Sequence, residues 1–202
     1  MDTFRAYRIN NENGNIVAGF ETLSVDDLTA GNVVIRVTHS TINYKDALAA
    51  TGAGKILRRY PLNGGIDLAG EVVSSEDDAF KLGTKVLVNG CGLSETVDGG
   101  YSEYARIDSK SLIATPGGMS AVEAMQIGTA GYTAALAIHR MEQNGQTPDT
   151  GPIVVTGATG GVGSVAIDML ASCGYEAVAL TGKASEEAYL REIGASRILL
   201  RE

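Results

Sequence analysis

Tryptophan is absent from this 202-residue chain, cysteine and histidine occur twice each, and proline occurs four times. The cysteines, Cys91 and Cys173, stand most of a domain apart and in no metal-ligand spacing, which excludes a disulfide-dense scaffold and points to a reducing compartment. No apolar run reaches the roughly 18 residues of a membrane span. The opening Met1-Asp2-Thr3-Phe4-Arg5 does not read as a secretory leader, so a cytoplasmic protein is expected. Positive charge is also scarce. A formal net charge of -8 repels nucleic acid and anionic membranes over most of the surface and leaves small-molecule chemistry as the better fit. What the chain does have is apolar content, 44% of residues, enough for one large or two small cores.

Two textures divide the chain into residues 1–119 and 120–202. In the first, β-rich runs such as Val33–Val37, Leu68–Val73 and Lys85–Val88 end in turn residues, among them Asn89-Gly90. This spacing predicts a barrel-like or sandwich-like β domain, with one short helix over Tyr44–Thr51 closed by Gly52. At Ser120-Ala121-Val122-Glu123 the spacing of a capping box opens an alanine-rich helical stretch. It is interrupted at Gly128-Thr129-Ala130-Gly131 and resumes from Tyr132 to about Met141. From Pro152 the pattern is strand, glycine loop, helix, strand, helix, strand. Ile153-Val154-Val155 reads as a buried strand, Val162–Cys173 as a helix stopped by Gly174, and Ala177–Leu180 as the second strand. Glu186–Ile193 reads as a helix stopped by Gly194, and Arg197 opens the third strand. The fold class expected is α/β, with this second part forming half of a doubly wound parallel sheet.

Gly157, Gly160 and Gly163 occupy the three positions of a G-x-x-G-x-x-G loop between a strand and a helix. Such a loop lets the backbone approach a pyrophosphate, and the helix N-terminus offers it free N–H groups. Thr159, Gly161 and Val162 complete the predicted contact. An NAD site would place Asp or Glu at the end of the second strand, about 20 residues on. Thr181-Gly182-Lys183 stands there instead, a hydroxyl, a close-approach glycine and an ammonium suited to the 2′-phosphate of NADPH. Arg197 is a candidate second cation.

Asn43-Tyr44-Lys45-Asp46-Ala47-Leu48, Gly65-Ile66-Asp67-Leu68-Ala69-Gly70, Gly128–Ala134 and Thr156–Ser164 are spread in order over most of the chain. Together they resemble the quinone-oxidoreductase branch of the medium-chain dehydrogenase/reductase superfamily, and within it the acrylyl-CoA reductase subfamily. The resemblance implies a GroES-like catalytic domain joined to a Rossmann domain, with NADPH as cofactor. It implies Asn43 and Asp67 as catalytic residues and Tyr44 as a cofactor contact, with Thr129 and Thr133 on the nicotinamide side. Zinc-dependent relatives carry a cysteine and a Gly-His-Glu where this chain has Asn43, Ile66 and Asp67, so no catalytic zinc is expected. His39 and His139 lie on apolar stretches and read as satisfied structural residues.

The implied reaction is reduction of an activated carbon–carbon double bond, as in acrylyl-CoA to propionyl-CoA. Reduction of a quinone on the same fold is the alternative, and a non-catalytic NADPH-binding relative is a third. The chain departs from the family at Asn89-Gly90-Cys91-Gly92, where the family has a glycine-tryptophan segment, which leaves acyl specificity open. Cys91 reads as a spare thiol. A doubly wound domain normally continues beyond a third strand, on the order of 75 residues or more. The expectation is that the chain pairs with a second polypeptide or is a cleaved or truncated product, that the isolated chain has little or no activity, and that the complete protein is a homodimer.

Overall fold

A computed structural model describes residues 3–201; Met1, Asp2 and Glu202, which belong to the two chain ends read above, lie outside the described residues. The chain divides into two compact units, Met1–Thr129 and Ala130–Glu202.

The first unit opens with β1 (Phe4–Glu12) and β2 (Asn15–Leu23), an antiparallel hairpin whose turn is Asn13-Gly14. Both turn residues have positive φ, the conformation that matches the twist of a two-residue hairpin. Next come β3 (Val33–His39), α1 (Tyr44–Thr51), β4 (Leu62–Asn63), β5 (Asp67–Ser75), β6 (Lys85–Asn89), β7 (Tyr104–Ile107) and β8 (Ile113–Ala114). The strands form a three-stranded sheet, β2-β1-β4, and a five-stranded sheet, β7-β3-β5-β6-β8, with every pairing antiparallel. Alternate residues of a strand face one side, and Val33 and Ile35, Val86 and Val88, and Ala105 and Ile107 accordingly enter one core with Leu68, Val72 and Leu93. Arg8 and Asp98, both buried, pair at 3.3 Å. Asp98 also accepts from the backbone N–H groups of Asn63 (2.8 Å) and Thr29 (2.7 Å). These bonds satisfy a charge that would otherwise be costly to bury, and they tie the loop before β7 to the start of β3's approach.

α2 (Ala121–Gln143) crosses from one unit into the next and is broken at Gly128, whose φ of 50° and ψ of -162° are not helical. The interruption read from the sequence at Gly128–Gly131 is therefore a kink at one residue. Before it, Ala124 and Met125 pack with Ala69 and Leu87 of the first unit. Beyond it, Ile138 and Met141 pack in the second unit's core.

The second unit continues with β9 (Ile153–Thr156), α3 (Gly161–Ser172), β10 (Ala177–Thr181), α4 (Glu187–Glu192) and β11 (Arg197–Leu200). The strands are parallel in the order β11-β10-β9, the βαβαβ arrangement expected. Ile167 and Leu170 of α3, Leu190 of α4 and Ala177 and Ala179 of β10 form the core. Both helices end as the glycines predict. Tyr175 N–H donates to Leu170 and Gly174 N–H to Ala171, and Ala195 and Gly194 repeat the pattern on Leu190 and Arg191, the paired bonds of a Schellman end. One expectation fails here. Ile153-Val154-Val155 is not a buried run, because β9 bonds only to β10 among the described residues and Val154 is 53% exposed.

Candidate functional site

Asp67 begins β5 and is fully buried, and its carboxylate is surrounded by donors. Asn43 Nδ2 donates to Oδ2 at 2.8 Å, and the backbone N–H of Thr129 donates to the same oxygen at 3.1 Å. Asn89 Nδ2 donates to Oδ1 at 2.8 Å, and the Thr129 hydroxyl donates there at 2.5 Å. A carboxylate offers about four acceptor sites, and four donors fill them. The kink at Gly128 makes two of those bonds possible, because an unbroken helix would direct the Thr129 N–H to the carbonyl four residues back. A Cβ at position 128 would stand 3.3 Å from Asp67 Oδ2, and the backbone there is one that only glycine adopts readily.

Asn43 precedes α1 as its N-cap residue. Its backbone N–H donates to Asp46 Oδ2 at 2.8 Å, while Asp46 Oδ1 accepts from Ile66 N–H at 3.0 Å. The buried Asp46 thus links the residue that carries the amide to the residue before Asp67. Capping and site duties coexist in Asn43, since the backbone serves one and the side chain the other. Tyr101 packs against Gly65 and donates its hydroxyl to the Thr41 carbonyl at 3.0 Å. Burial, and secondarily the Asp46 carboxylate, push its phenol well above the ordinary tyrosine range, so it stays protonated as a donor. Tyr44, at the first position of α1, is 81% exposed.

In the second unit, α3 starts at Gly161 directly after the glycine loop. A Cβ on Gly163 would overlap the Gly157 carbonyl and lie 2.9 Å from Ala158 Cα, so glycine there is a packing requirement between loop and helix. The loop is closed on itself by Gly160 N–H to the Gly157 carbonyl at 2.9 Å. Gly157, Gly160, Gly161, Val162 and Gly163 border a groove of about 500 Å³, and Thr159 sits half-buried in the loop. A Cβ on Gly157 would meet nothing within 4 Å and one on Gly161 would meet only the Ala130 Cβ at 3.5 Å, and both glycines are exposed, which leaves their backbone approachable.

At the tip of β10, Thr181 is buried and its hydroxyl accepts from Lys183 N–H at 3.0 Å, turning the exposed Gly182 and Lys183 outward. The Arg197 expectation is corrected by strand direction. Arg197 pairs in register with Val178, at the N-terminal end of the parallel strands, and faces Glu176 at 3.9 Å. Ligands of such sheets bind at the opposite, carboxyl end. The residue there is Arg201. Its N–H donates to the Thr181 carbonyl at 2.9 Å, and its guanidinium lies 3.8 Å from where a Cβ on Gly182 would be. Thr133 lies on α2 past the kink with an exposed side chain. The structure therefore gathers Asn43, Asp67 and Thr129 in one cluster, adds Asn89 to it, and puts Arg201, not Arg197, at the carboxyl end of the parallel strands.

The histidine reading is corrected too. His39 and His139 are exposed, and His39 Nδ1 is 3.1 Å from its neighbour's Thr38 hydroxyl, so neither is a core residue. Among the described residues no group of three or more His, Cys, Asp or Glu is placed to hold a metal ion, and no helix is long and apolar enough to cross a membrane. Both cysteines are exposed and free.

Residues 29–117 match the alcohol dehydrogenase GroES-like domain. Over 199 residues the chain is 46% identical to a Bacillus subtilis protein provisionally named as the quinone oxidoreductase YhfP, covering 98% of this chain and 60% of that one. It is 44% identical to the acrylyl-CoA reductase AcuI of Ruegeria pomeroyi, covering 95% of this chain and 58% of that one. The yhdH oxidoreductase of Salmonella enterica, solved in complex with NADP, superposes with a TM-score of 0.94 at 45% identity, over 98% of this chain and 61% of that one. The B. subtilis yhfP structure, solved with NAD bound, gives 0.95 at 44% identity, over 99% and 61%. The chain spans about three fifths of the length of these relatives. With four motifs in order, a β-rich unit matching the GroES-like domain, and a parallel βαβαβ unit, the chain belongs to the medium-chain dehydrogenase/reductase family.

Proposed function

We propose that this chain carries the nucleotide-binding and polar active-site elements of an NADPH-dependent, zinc-independent reductase of activated carbon–carbon double bonds, with an enoyl thioester such as acrylyl-CoA as substrate. The observation that carries the cofactor choice is the tip of β10. The strand ends in Thr181-Gly182-Lys183, with no Asp or Glu among these three to accept from ribose hydroxyls, and Lys183 and Arg201 flank Gly182 where a 2′-phosphate would add negative charge. The glycine loop and the first turn of α3 fit a pyrophosphate, since Gly157 and Gly161 leave their backbone uncovered.

When bound, NADPH supplies a hydride to the substrate's β-carbon. The chain's own part is electrostatic. Asn43 uses one amide N–H on Asp67 and retains a second, and a donor held in place can stabilise charge that gathers on a thioester carbonyl oxygen. Asp67, whose oxygens already accept four hydrogen bonds, acts by holding Asn43 rather than by offering lone pairs to a metal. Tyr44 and Thr133 are kept as contacts for the nicotinamide end, and Thr129 supports Asp67.

The test is to mix the complete protein with NADPH and either acrylyl-CoA or a quinone and follow nicotinamide absorbance. Oxidation with acrylyl-CoA is the expected result. Oxidation with the quinone alone moves the assignment to quinone reduction, and none with any acceptor leaves only nucleotide binding. Tighter binding of NADH than of NADPH would overturn the reading of the β10 tip.

A further inference from the structure

Four donors reach Asp67 from three separate stretches of chain, and one of them comes from a residue with no role so far, Asn89. Asn89 is the last residue of β6 and the register partner of Asp67 across the antiparallel β5–β6 pair. Directly opposed residues project their side chains on the same face, so the pairing itself delivers the Asn89 amide to the carboxylate. The next residue locks that position, because Gly90 N–H donates to the Ile66 carbonyl at 2.8 Å.

We propose that Asn89 is a positioning residue of the site, one that sets the plane of the Asp67 carboxylate and through it the direction of the Asn43 amide. This deepens the reductase reading and rests on it. The distribution of donors carries the inference. Asn89 and the Thr129 hydroxyl hold Oδ1, and Asn43 and the Thr129 N–H hold Oδ2, so turning the carboxylate about its Cβ–Cγ bond breaks bonds on both oxygens at once. Of the two donors on Oδ1, the threonine hydroxyl is a rotor that follows its acceptor. The Asn89 amide is planar, so its N–H directions are fixed in that plane and favour one orientation of Oδ1. Without it, Oδ1 keeps only a donor whose hydrogen re-aims as the acceptor shifts, the carboxylate plane is less strictly set, and the Asn43 amide tilts with it. Three donors still satisfy the buried charge, so the unit is expected to fold without Asn89.

The experiment uses the complete protein with Asn89→Ala, which removes the donor without overpacking, and Asn89→His, whose Nδ1–H occupies nearly the place of the asparagine amide nitrogen. In nitrogen–proton NMR spectra the side-chain amide of Asn43 and the backbone amide of Thr129 should shift in Asn89→Ala and return toward wild type in Asn89→His. In turnover with NADPH and the accepting substrate, Asn89→Ala should lower kcat roughly tenfold, within the range that a displacement on the order of 1 Å produces. The KM for NADPH should stay within about twofold, and Asn89→His should restore most of kcat. Unmoved Asn43 and Thr129 resonances in a folded Asn89→Ala protein would overturn the proposal, as would a kcat loss that histidine does not repair. If the wild-type protein reduces nothing, the reductase reading has failed and the NMR arm alone decides about Asn89.

Discussion

The two units hold their polar groups in opposite states. Around Asp67 every acceptor site is filled by the protein itself, in a buried place assembled from the residue before α1, the ends of β5 and β6, and the break in α2. At the β10 tip and the glycine loop, Gly157, Gly161 and Gly182 are exposed, and so are two cations, Lys183 and Arg201. The first arrangement is preorganised, and its worth lies in rigidity. The second turns exposed glycines and positive charge outward, an arrangement suited to an anionic group. Changes in the first should therefore alter stability and turnover, and changes in the second should alter which nucleotide binds.

The contrast can be broken most sharply at Gly163. Gly163→Val sets a branched side chain against the Gly157 carbonyl and should reduce NADPH affinity by at least two orders of magnitude, about 2.7 kcal/mol, as read by calorimetric titration. Retained affinity would mean that the loop does not hold the nucleotide. Next in size is Asp67→Leu, which strands the donors of Asn43, Asn89 and Thr129 around an apolar side chain. A destabilisation of about 3 kcal/mol or more in urea unfolding of the first unit is expected, together with loss of turnover, while NADPH affinity changes little. A parallel loss of affinity would erase the distinction between the two places. Smaller again, Lys183→Ala and Arg201→Ala should each weaken NADPH about tenfold, roughly 1.4 kcal/mol, and leave NADH unaffected. Arg197→Ala should alter neither.

The smallest effect tests capping alone. Glu123 accepts from the Ser120 backbone N–H (2.8 Å) and hydroxyl (2.7 Å), and these bonds hold its carboxyl below the usual glutamate range. A folded-state value below the unfolded one means that the contribution is present above the ordinary glutamate pKa and is lost as pH falls through the lowered value. Ser120→Ala should raise the Glu123 titration midpoint measured by carboxyl NMR and leave the Asp67 cluster and nucleotide binding as they were.

Local chemistry was legible in the sequence, and long-range register was not. Gly174 and Gly194 announce helix ends because the signal lies within six residues, and the glycine loop is read the same way. Asn89 stands out in the sequence as a turn residue and as part of a departure from the family, but not as a partner of Asp67, which lies 22 positions away and is found by strand pairing. The bonds from Thr129 to Asp67 span 62 positions. Arg197 has the charge but opens its strand, and the direction of the parallel strands is the signal that points to Arg201 at the carboxyl end. Val154 looked buried because a run of β-branched residues implies neighbours on both sides, and β9 has one among the described residues.

The break in α2 has a mechanical consequence. A residue that let the helix run straight through position 128 would withdraw the Thr129 amide into the helical ladder and swing its hydroxyl away, so the same event that lengthened a regular element would dismantle a functional one. A substitution here that favours local helical order therefore works against the Asp67 cluster.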